Sequence, residues 1–376
     1  MTPCGHEFKV TQGPVGNVGD LARQWQGLEQ HAHPSVFLSW MWIGHWLATY
    51  RPDADVIRVF RDTELVGLGL VVLRCERRHG FVRSRSLRLH QTGRPGEDQV
   101  WIEYNGFLVR AGLEDDVISA IAAHLGSNNG WDELVLSGVN PAQVRQYASA
   151  TGLMTHLRWE APCYGVDLER IRMDGTAYLD SLSRNTRHQI ARSLRLYQDN
   201  GGLSLHRPAG VEEAVALFDA IGPQHIERWG DHKQGSGFQN PEFVRFHRSL
   251  IRACWPDGGV ELLTLRAGTE TIATLYNLCF EGTVYFYLGA VKPEPDNRLK
   301  PGLVAHSLAI QQYLERGFAF YDFMGGAERY KASLGREHQH LVQVALQRPR
   351  VQFRIERLLR DIKNRFMAPV GAFHGL

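Results

Sequence analysis

The stretch from Thr283 to Lys331 constrains the fold more than any other part of this sequence. Its residue pattern predicts an aromatic β-strand (Thr283 to Val291), a basic loop with Pro and Gly, a helix (Leu303 to Arg316) and a second strand (Phe318 to Phe323). A Gly-Gly turn and the pair Tyr330-Lys331 close the stretch. A loop of this kind at a helix N-terminus can bind phosphate, because unpaired backbone N–H groups and the positive end of the helix dipole both face the anion.

Length and composition indicate a protein with two globular domains. The chain has 376 residues, and about 150 residues is an ordinary size for one domain. Hydrophobic residues make up 43% of the chain and charged residues 22%, which is enough for a core of normal size. The formal net charge of +2 argues against a dedicated nucleic-acid binder, so no DNA partner is predicted.

The five cysteines are scattered and no CxxC motif occurs, which indicates neither a disulfide framework nor a zinc ribbon. No signal peptide is visible in Met1 to Val10. The most apolar window, Pro34 to Tyr50, is shorter than the roughly 20 residues that a membrane span needs. A cytoplasmic protein with reduced thiols and no membrane span, as a monomer or a homodimer, is therefore predicted.

The two halves of the chain show the same order of elements. Turns at Asp62–Gly67 and Gly268–Ala273 each separate two β-prone runs, which is a hairpin signal. A helical pattern followed by a strand comes after each hairpin, at Leu113–Ser137 in one half and Leu303–Phe323 in the other. We therefore predict two α/β domains of one architecture, with a boundary after residue 165.

A basic helix is predicted from Arg184 to Tyr197. One side carries four arginines and the opposite side three residues that are expected to face the core: Arg184, Arg187, Arg192 and Arg195 against Ile190, Leu194 and Tyr197. The basic side is either a solvated face or a clamp in which Arg184 and Arg187 bind an anionic donor or substrate, since Arg binds phosphate and carboxylate bidentately.

The stretch from Val351 to Met367 also has the pattern of a basic amphipathic helix. Its five basic residues are Arg354, Arg357, Arg360, Lys363 and Arg365. A solvated basic face is favoured here over contact with a membrane surface or with RNA.

Six short motifs along the chain carry a family resemblance. They are Phe37-Leu38-Ser39-Trp40 with Trp42 and Trp46; Ser183 to Arg187; Lys300-Pro301-Gly302; Gly317 with Tyr321-Asp322-Phe323; Gly325-Gly326; and Tyr330-Lys331. Each motif is modestly specific. Their order together, over roughly residues 20 to 345, resembles the CelD/BcsL-type acyltransferases of the GNAT superfamily, whose cousins are the FemAB-like aminoacyl transferases.

The resemblance implies two tandem GNAT-like domains, residues 1–165 and 166–376, each with a mixed, mostly antiparallel sheet flanked by helices. The C-terminal copy would hold acyl-CoA, with the thioester in a gap between two strands and the pyrophosphate on the following loop and helix N-terminus. The implied donor contacts are Arg298, Lys300, Gly302 and Leu303 in the loop, and backbone N–H groups from Leu288 to Ala290 beside the thioester. No metal is expected.

The loop departs from the pattern R/Q-x-x-G-x-G/A that members of the superfamily typically show. This chain has Arg298-Leu299-Lys300-Pro301-Gly302-Leu303 at that place. Pro301 lacks an N–H donor, and only one glycine remains to let the backbone approach phosphate. The donor therefore stays open between acyl-CoA and a charged tRNA.

Acyl transfer to an amine needs a neutral nucleophile, a polarised carbonyl and a proton for the leaving group. Tyr285 and Tyr287 share one face of their strand, and each is a candidate proton donor or an ordinary core residue. Asp322 stands between two aromatic residues, so it is a candidate base or a cap of the Gly-Gly turn. The resemblance implies that Lys331 lies by the reaction centre, where a cation stabilises an oxyanion; a surface salt bridge is the alternative.

Two further segments are candidates for binding the acceptor. The polar, Gly-rich segment from Gln224 to Phe238 predicts a mobile loop over the acceptor, with Arg228 and Trp229 as contacts. Glu103 and Tyr104 in the first half are also candidates, although a hairpin rim explains them equally well.

Other reaction classes have little support in the sequence. No G-x-S-x-G elbow, Walker loop or H-E-x-x-H motif occurs. The prediction is therefore an acyltransferase that moves an acyl group from acyl-CoA to an amine or hydroxyl of a small acceptor, such as an amino compound, a sugar or a polysaccharide precursor. An aminoacyl-tRNA-dependent transferase and a non-catalytic GNAT-like scaffold are the alternatives.

Overall fold

The structure is a computed structural model that describes residues 8–80, 82–199, 201–232 and 235–366. Within these residues the chain divides into two compact units. The first unit comprises residues 8–161 and 340–366, and the second comprises residues 162–339. The first unit is therefore built from two separate pieces of the chain.

The described residues contain 13 β-strands and 11 α-helices. The strands are β1 (Phe8–Pro14), β2 (Ala54–Arg61), β3 (Glu64–Arg78), β4 (Val82–Leu89), β5 (Leu108–Val109), β6 (Glu133–Val139), β7 (Met154–Asp167), β8 (Leu203–His206), β9 (Val260–Ala267), β10 (Glu270–Phe280), β11 (Thr283–Val291), β12 (Phe320–Gly325) and β13 (Arg336–Gln347). The helices are α1 (Val18–Glu29), α2 (Trp40–Tyr50), α3 (Glu114–Ser127), α4 (Pro141–Thr151), α5 (Leu168–Met173), α6 (Arg184–Asp199), α7 (Val211–Trp229), α8 (Pro241–Cys254), α9 (Pro301–Glu315), α10 (Arg329–Leu334) and α11 (Val351–Phe366).

The sheets of the two units follow one pattern. In the first unit β1, β2, β3 and β4 are antiparallel in that order, β4 is parallel to β6, and β6 is antiparallel to β13. In the second unit β8, β9, β10 and β11 are antiparallel, β11 is parallel to β12, and β12 is antiparallel to β7. The prediction of mixed, mostly antiparallel sheets flanked by helices is confirmed.

The last strand of each sheet begins in the other unit. β13 starts at Arg336 in the second unit, and its residues from Val342 to Gln347 pair with β6 in the first. β7 starts in the first unit, and its residues from Cys163 to Asp167 pair with β12. The boundary that we predicted after residue 165 differs from this division, because it kept residues 340–366 with the second half. The residue pattern of a strand does not show which sheet the strand will join.

Each sheet packs one apolar face on helices. In the first unit, α3 supplies Val117, Ile121 and Leu125 to a core that also contains Ile57, Val59, Leu134 and Leu136 of the sheet and Val342, Val344 and Leu346 of β13. In the second unit, α9 supplies Val304, Ala305 and Ile310 to a core that contains Leu263, Leu275, Val284 and Tyr321. These positions alternate along the strands and recur every three to four residues along the helices, which is why the sequence specifies this packing.

The elements predicted around the site are present in the second unit. β11 has the predicted bounds, β12 lies two residues further along the chain than predicted, and α9 begins at Pro301, whose missing N–H suits the first helical position. On α6, Ile190 and Tyr197 are buried and Leu194 packs against the same core, as the pattern predicted. Tyr330 and Lys331 lie on the short helix α10 that follows the Gly-Gly turn.

The predicted mobile loop from Gln224 to Phe238 is wrong in its first part, because α7 continues to Trp229. The loop was predicted from the polar, Gly-rich composition of the segment. Phe218 and Ile221 are fully buried, and this packing stabilises the helix beyond the proline. Lys233 and Gln234 of the predicted loop lie outside the described residues.

The C-terminal helix that we predicted up to Met367 is described as α11; Met367 itself lies outside the described residues. In the part of the chain that the structure describes, no helix combines the length and the apolar character needed to cross a bilayer.

Candidate active site

β11 and β12 are paired only at their beginnings. Thr283–Tyr285 pairs with Phe320–Asp322, and beyond this point β11 continues on β10. The next pairing of β12 is Gly325 with Cys163 of β7. The two strands are no longer paired after Asp322, and a gap opens between them.

A β-bulge bends β11 where the gap begins. Tyr276 of β10 is opposite Leu288, and Asn277 is opposite Phe286, so Tyr287 is the extra residue of the bulge. A bulge increases the local twist and bends the strand that carries it. The separation of β11 from β12 is therefore built into the backbone. Leu288 and Ala290, which we predicted to line the donor site, follow the bulge.

The N-terminus of α9 comes after β11, at the end of a loop from residue 292 to 300. The backbone N–H of Lys300 donates to the buried Ser193 hydroxyl of α6, at 2.9 Å. Gly302 and Leu303 lie in the first turn, where backbone N–H groups have no acceptor within the helix. A Cβ added to Gly302 would meet only methyl groups of Val291, the nearer at 3.6 Å, so the space over this turn is open.

The two basic residues predicted for this loop are engaged within the loop itself. Arg298 forms an ion pair with Asp296, with 2.7 Å between Nη2 and Oδ2, and its backbone N–H also donates to that carboxylate. These hydrogen bonds lower the pKa of Asp296 to about 2. The ammonium group of Lys300 donates to the side-chain oxygen of Asn297. Both cations shape the loop, and the charge of Arg298 is largely neutralised.

Arg192 on α6 is the cation that our selection of site residues missed at this helix end. Its charge also lowers the pKa of Asp296, and Ser193, the next residue, binds the backbone of Lys300. The Nε atom of Arg192 is buried and makes no hydrogen bond within the described residues. A buried guanidinium N–H without an acceptor is costly, so this group is available to an anion at the start of α9.

Asp322 ends the paired part of β12 and is 3% exposed. Its Oδ1 atom accepts a hydrogen bond from the backbone N–H of Met324 at 2.7 Å, and Nε2 of His338 is 3.5 Å away. Met324 has a φ of 62°, in the left-handed region that a residue other than glycine seldom adopts. The carboxylate therefore holds a strained turn, which is the capping arrangement that we gave as one alternative.

Lys331 is buried, with 6% of its surface exposed. Its ammonium group donates to the Gly325 carbonyl at 2.6 Å and lies 3.2 Å from Oε2 of Glu328. Gly326 has a φ of 140°, and an added Cβ there would lie 2.2 Å from the Glu328 carboxylate and 2.6 Å from the ammonium. The buried ion pair of Lys331 with Glu328 therefore requires a residue without a side chain at position 326. The alternative of a surface salt bridge for Lys331 is wrong, because the pair is buried.

His306 of α9 lies between Lys331 and β11. Its Nδ1 is 3.0 Å from the Tyr321 hydroxyl. Its ring stacks on the ring of Tyr330 with 5.5 Å between the centroids, and it is nearly perpendicular to the ring of Phe286 with 4.5 Å between the centroids. Burial, followed by the charge of Lys331, lowers the pKa of His306 to about 3. The imidazole is therefore neutral at physiological pH.

The two candidate tyrosines of β11 differ in their surroundings. Tyr285 is 8% exposed and is opposite Asp322 in the strand register. Tyr287 is half-buried and packs on the ring of His247 at 4.9 Å and on Tyr276 at 5.9 Å. Phe286, which lies between the two tyrosines in the chain, contacts His306 instead.

The structure does not bring the predicted substrate residues into one cluster. Arg184 is exposed at the start of α6, and Arg187 forms an ion pair with Asp180 at 2.7 Å. The guanidinium of Arg228 stacks over the ring of Trp229, 4.8 Å from its centroid, on the last turn of α7. Both residues remain near the surface.

Glu103 and Tyr104 belong to the first unit. Their segment lies where the parallel pairing of β4 with β6 ends, which corresponds to the end of the β11–β12 pairing in the second unit. The next residue, Asn105, donates from Nδ2 to the carbonyls of Leu89 on β4 and Ser137 on β6, at 3.0 and 3.1 Å. It thereby bridges the two strands just beyond their parallel pairing. Glu103 is itself buried.

His90 completes this closure. Its Nε2 accepts the backbone N–H of Leu70 at 3.0 Å, so Nδ1 carries the proton that it donates to Asn105 at 2.8 Å. Burial lowers the pKa of His90 to about 4. A side chain thus bridges the parallel strands just beyond their pairing in the first unit, whereas the pairing of β11 with β12 simply ends after Asp322 in the second.

Residues 184–332 match the family model described as an acetyltransferase (GNAT) domain. This match lies wholly within the second unit. The prediction of an acyltransferase enzyme is confirmed at this level. Among the described residues, no group of three or more His, Cys, Asp or Glu side chains is arranged to hold a metal ion.

Solved structures with a similar fold cover both units. A crystal structure of FemX has a TM-score of 0.56 and 12% identity, over 90% of this chain and 98% of that one. The C-terminal domain of a putative lysylphosphatidylglycerol synthetase from Agrobacterium fabrum has a TM-score of 0.53 and 10% identity, over 92% and 96%. L-PGS from Bacillus licheniformis has a TM-score of 0.51 and 10% identity, over 90% and 96%.

At these identities the likeness shows the fold alone. With the repeated sheet pattern and the GNAT domain match, it confirms the predicted fold class of two tandem GNAT-like domains. No sequence among the curated proteins matches this chain.

Proposed function

We propose that this protein transfers an acyl group from acyl-CoA to an amine or hydroxyl of a small acceptor, as the CelD/BcsL-type branch of the GNAT superfamily does. The observation that carries the proposal is the separation of β11 from β12 after Tyr285, followed along the chain by the N-terminus of α9. A strand edge binds an extended amide-containing chain through its backbone, and a helix N-terminus binds phosphate. CoA contains both an extended amide-containing chain, its pantetheine arm, and the diphosphate to which that arm is joined.

The donor would lie with its diphosphate on the first turn of α9. The backbone N–H groups of Gly302 and Leu303 point out of that turn, and Arg192 contributes a buried N–H that has no acceptor within the described residues. The pantetheine arm would follow β11 into the gap. The backbone N–H groups from Leu288 to Ala290 would then polarise the thioester carbonyl, as the family resemblance implies.

Two groups beside the gap are suited to move protons. Asp322 uses Oδ1 to hold the turn at Met324, and its second carboxylate oxygen, Oδ2, would accept a proton from the acceptor. Tyr287 lies at the bulge and is half-buried, which suits a donor of a proton to the leaving thiolate. Lys331, fixed by Glu328, contributes a stationary positive charge near the turn.

The acceptor is expected to be an amino compound, a sugar or a polysaccharide precursor in the cytoplasm. Arg184, Arg228 and Trp229 are exposed or half-exposed and are the proposed contacts with it, together with Arg187. The size of the acyl group depends on the side chains that line the gap.

An aminoacyl-tRNA donor is the second candidate. The loop before α9 supports it, because Pro301 offers no N–H and only Gly302 lets the backbone approach a phosphate. The exposed arginines of α6, Arg184 and Arg195, would contact the RNA backbone in this case.

Thermal unfolding with added CoA distinguishes the two donors. At a CoA concentration of about 100 times Kd, binding stabilises the folded protein by about 2.7 kcal/mol, so we expect the midpoint to rise by about 5 to 10 °C. ATP serves as the control for binding through the adenine nucleotide alone, and dephospho-CoA measures the contribution of the ribose 3′-phosphate. A midpoint unchanged by CoA, together with tRNA binding that weakens steeply with salt, would favour the aminoacyl-tRNA donor.

Replacing Asp322 with asparagine tests the proposed base. Asparagine also accepts a hydrogen bond at Oδ1, so we expect the turn at Met324 and CoA binding to be retained. The acyl-transfer rate should fall by about 100-fold or more, because the side chain no longer accepts a proton. A turnover close to wild type would show that Asp322 only caps the turn. The non-catalytic scaffold is favoured instead if the wild type shows no turnover and both Asp322→Asn and Lys331→Ala leave the cellular role intact.

A further inference from the structure

α11 exposes its apolar side to solvent, which is the reverse of the usual arrangement. Five large aliphatic side chains recur at helical spacing along one side: Val351 is 68% exposed, Ile355 44%, Leu358 60%, Leu359 47% and Ile362 43%. At 100° per residue these positions fall within a stripe about 100° wide. Scattered exposed apolar residues are ordinary, whereas a contiguous stripe of this size marks an interaction surface.

The opposite side of α11 is fixed to the first unit by polar contacts. Arg78 of β3 forms an ion pair with Glu356, with 3.0 Å between Nε and Oε1, and its guanidinium lies 5.8 Å from the ring of Phe353. Phe353 and Glu356 are 1% and 6% exposed. Arg360 contacts the ring of His156 at 3.1 Å. These contacts orient the helix, so the outward direction of the stripe follows from buried interactions.

The surroundings of the stripe are positively charged. The sequence of α11 contains five basic and two acidic residues, and one of the acids, Glu356, is paired with Arg78. Arg354 is exposed beside the stripe and forms no ion pair within the described residues. Arg357 lies on the anchored side of the helix, where it donates to the sulfur of Met154.

We propose that α11 binds the surface of an anionic lipid bilayer. The aliphatic stripe would enter the boundary between headgroups and acyl chains, and Arg354 at its edge would contact the anionic headgroups. A second copy of the chain fits less well, because two such stripes face to face would bring arginines together. RNA fits less well too, because an aliphatic stripe offers bases no aromatic ring to stack on.

Co-sedimentation of the full-length protein with vesicles tests this inference. We expect binding to vesicles of phosphatidylglycerol and phosphatidylcholine that weakens in high salt and on pure phosphatidylcholine. The double variant Leu358→Gln/Leu359→Gln removes apolar surface that is already exposed, so it should fold normally. It should lower vesicle affinity by about tenfold or more, and Arg354→Gln should lower it several-fold.

The matched control is Val18→Gln/Met173→Gln, which changes two other exposed apolar residues, 48% and 75% exposed, and should bind vesicles like the wild type. Two results would overturn the inference. One is the absence of sedimentation with anionic vesicles at low salt. The other is a dimer in solution that Leu358→Gln/Leu359→Gln dissociates while vesicle binding is unaffected, since this would assign the stripe to a second copy.

Discussion

Replacing Gly302 with aspartate is expected to abolish CoA binding while leaving the second unit as stable as before. A carboxylate in the first turn of a helix favours the helix by about 0.3–1 kcal/mol. The same charge would repel the proposed diphosphate. Two like unit charges about 4 Å apart repel each other by about 4 kcal/mol at an effective dielectric constant of about 20. Salt screening reduces this repulsion, so we expect a loss of CoA affinity of about 100-fold or more.

The matched control is Gly302→Asn, which has the same size without the charge. The open space over Gly302 accommodates either side chain, since the nearest neighbour of an added Cβ is Val291 at 3.6 Å. Calorimetry of CoA binding should show a small loss for asparagine and a large one for aspartate, and circular dichroism should show both variants folded. Equal affinities for the two variants would mean that the diphosphate does not bind at the start of α9.

A fragment that ends at residue 165, the boundary predicted from the sequence, is expected not to fold cooperatively. It lacks β13, whose Val342, Val344 and Leu346 are buried in the core of the first unit. Burying each such side chain is worth about 1.5–3 kcal/mol, and three of them approach the 5–15 kcal/mol that separates folded from unfolded domains. Thermal unfolding followed by circular dichroism measures the effect.

Residues after β13 add to this expectation. The guanidinium of Arg348 donates to the carbonyls of Leu125, Gly126 and Asn128 at the end of α3, and it stacks over Trp131 at 4.3 Å. Joining residues 1–161 to residues 340–376 through a flexible Gly/Ser linker should restore a cooperative transition. If the fragment ending at residue 165 already unfolds sharply, β13 is dispensable for the first unit.

Local elements were predictable because their determinants are near in sequence. The bounds of β11 and the buried side of α6 followed from alternation and from 3.6-residue periodicity. The helix α9 was predicted as well, although it begins at Pro301, two residues before the predicted start at Leu303. The continuation of α7 past Pro223 was missed, since the packing of Phe218 and Ile221 outweighs a local helix-breaking signal.

Features that depend on distant contacts were not predictable. The sequence does not state that Asp296 neutralises Arg298 while Arg192, more than a hundred residues earlier, keeps a buried N–H without an acceptor. Asn105 stood inside a motif that we singled out for its neighbours Glu103 and Tyr104, yet it is the amide that bridges β4 and β6. A side chain that bridges two strands is recognisable only when both strands are in place.

The exchange of β7 and β13 has a consequence for how the chain folds during synthesis. After β6 the ribosome must add residues 140–347 before this strand can acquire the partner that completes its sheet. At 5–20 residues per second this is a delay of about 10 to 40 s. Throughout that interval β6 is an unpaired edge, and an unpaired edge is prone to join a wrong strand, of which β7 is the first to emerge. The nascent polypeptide therefore passes through a period in which premature pairing competes with the native topology.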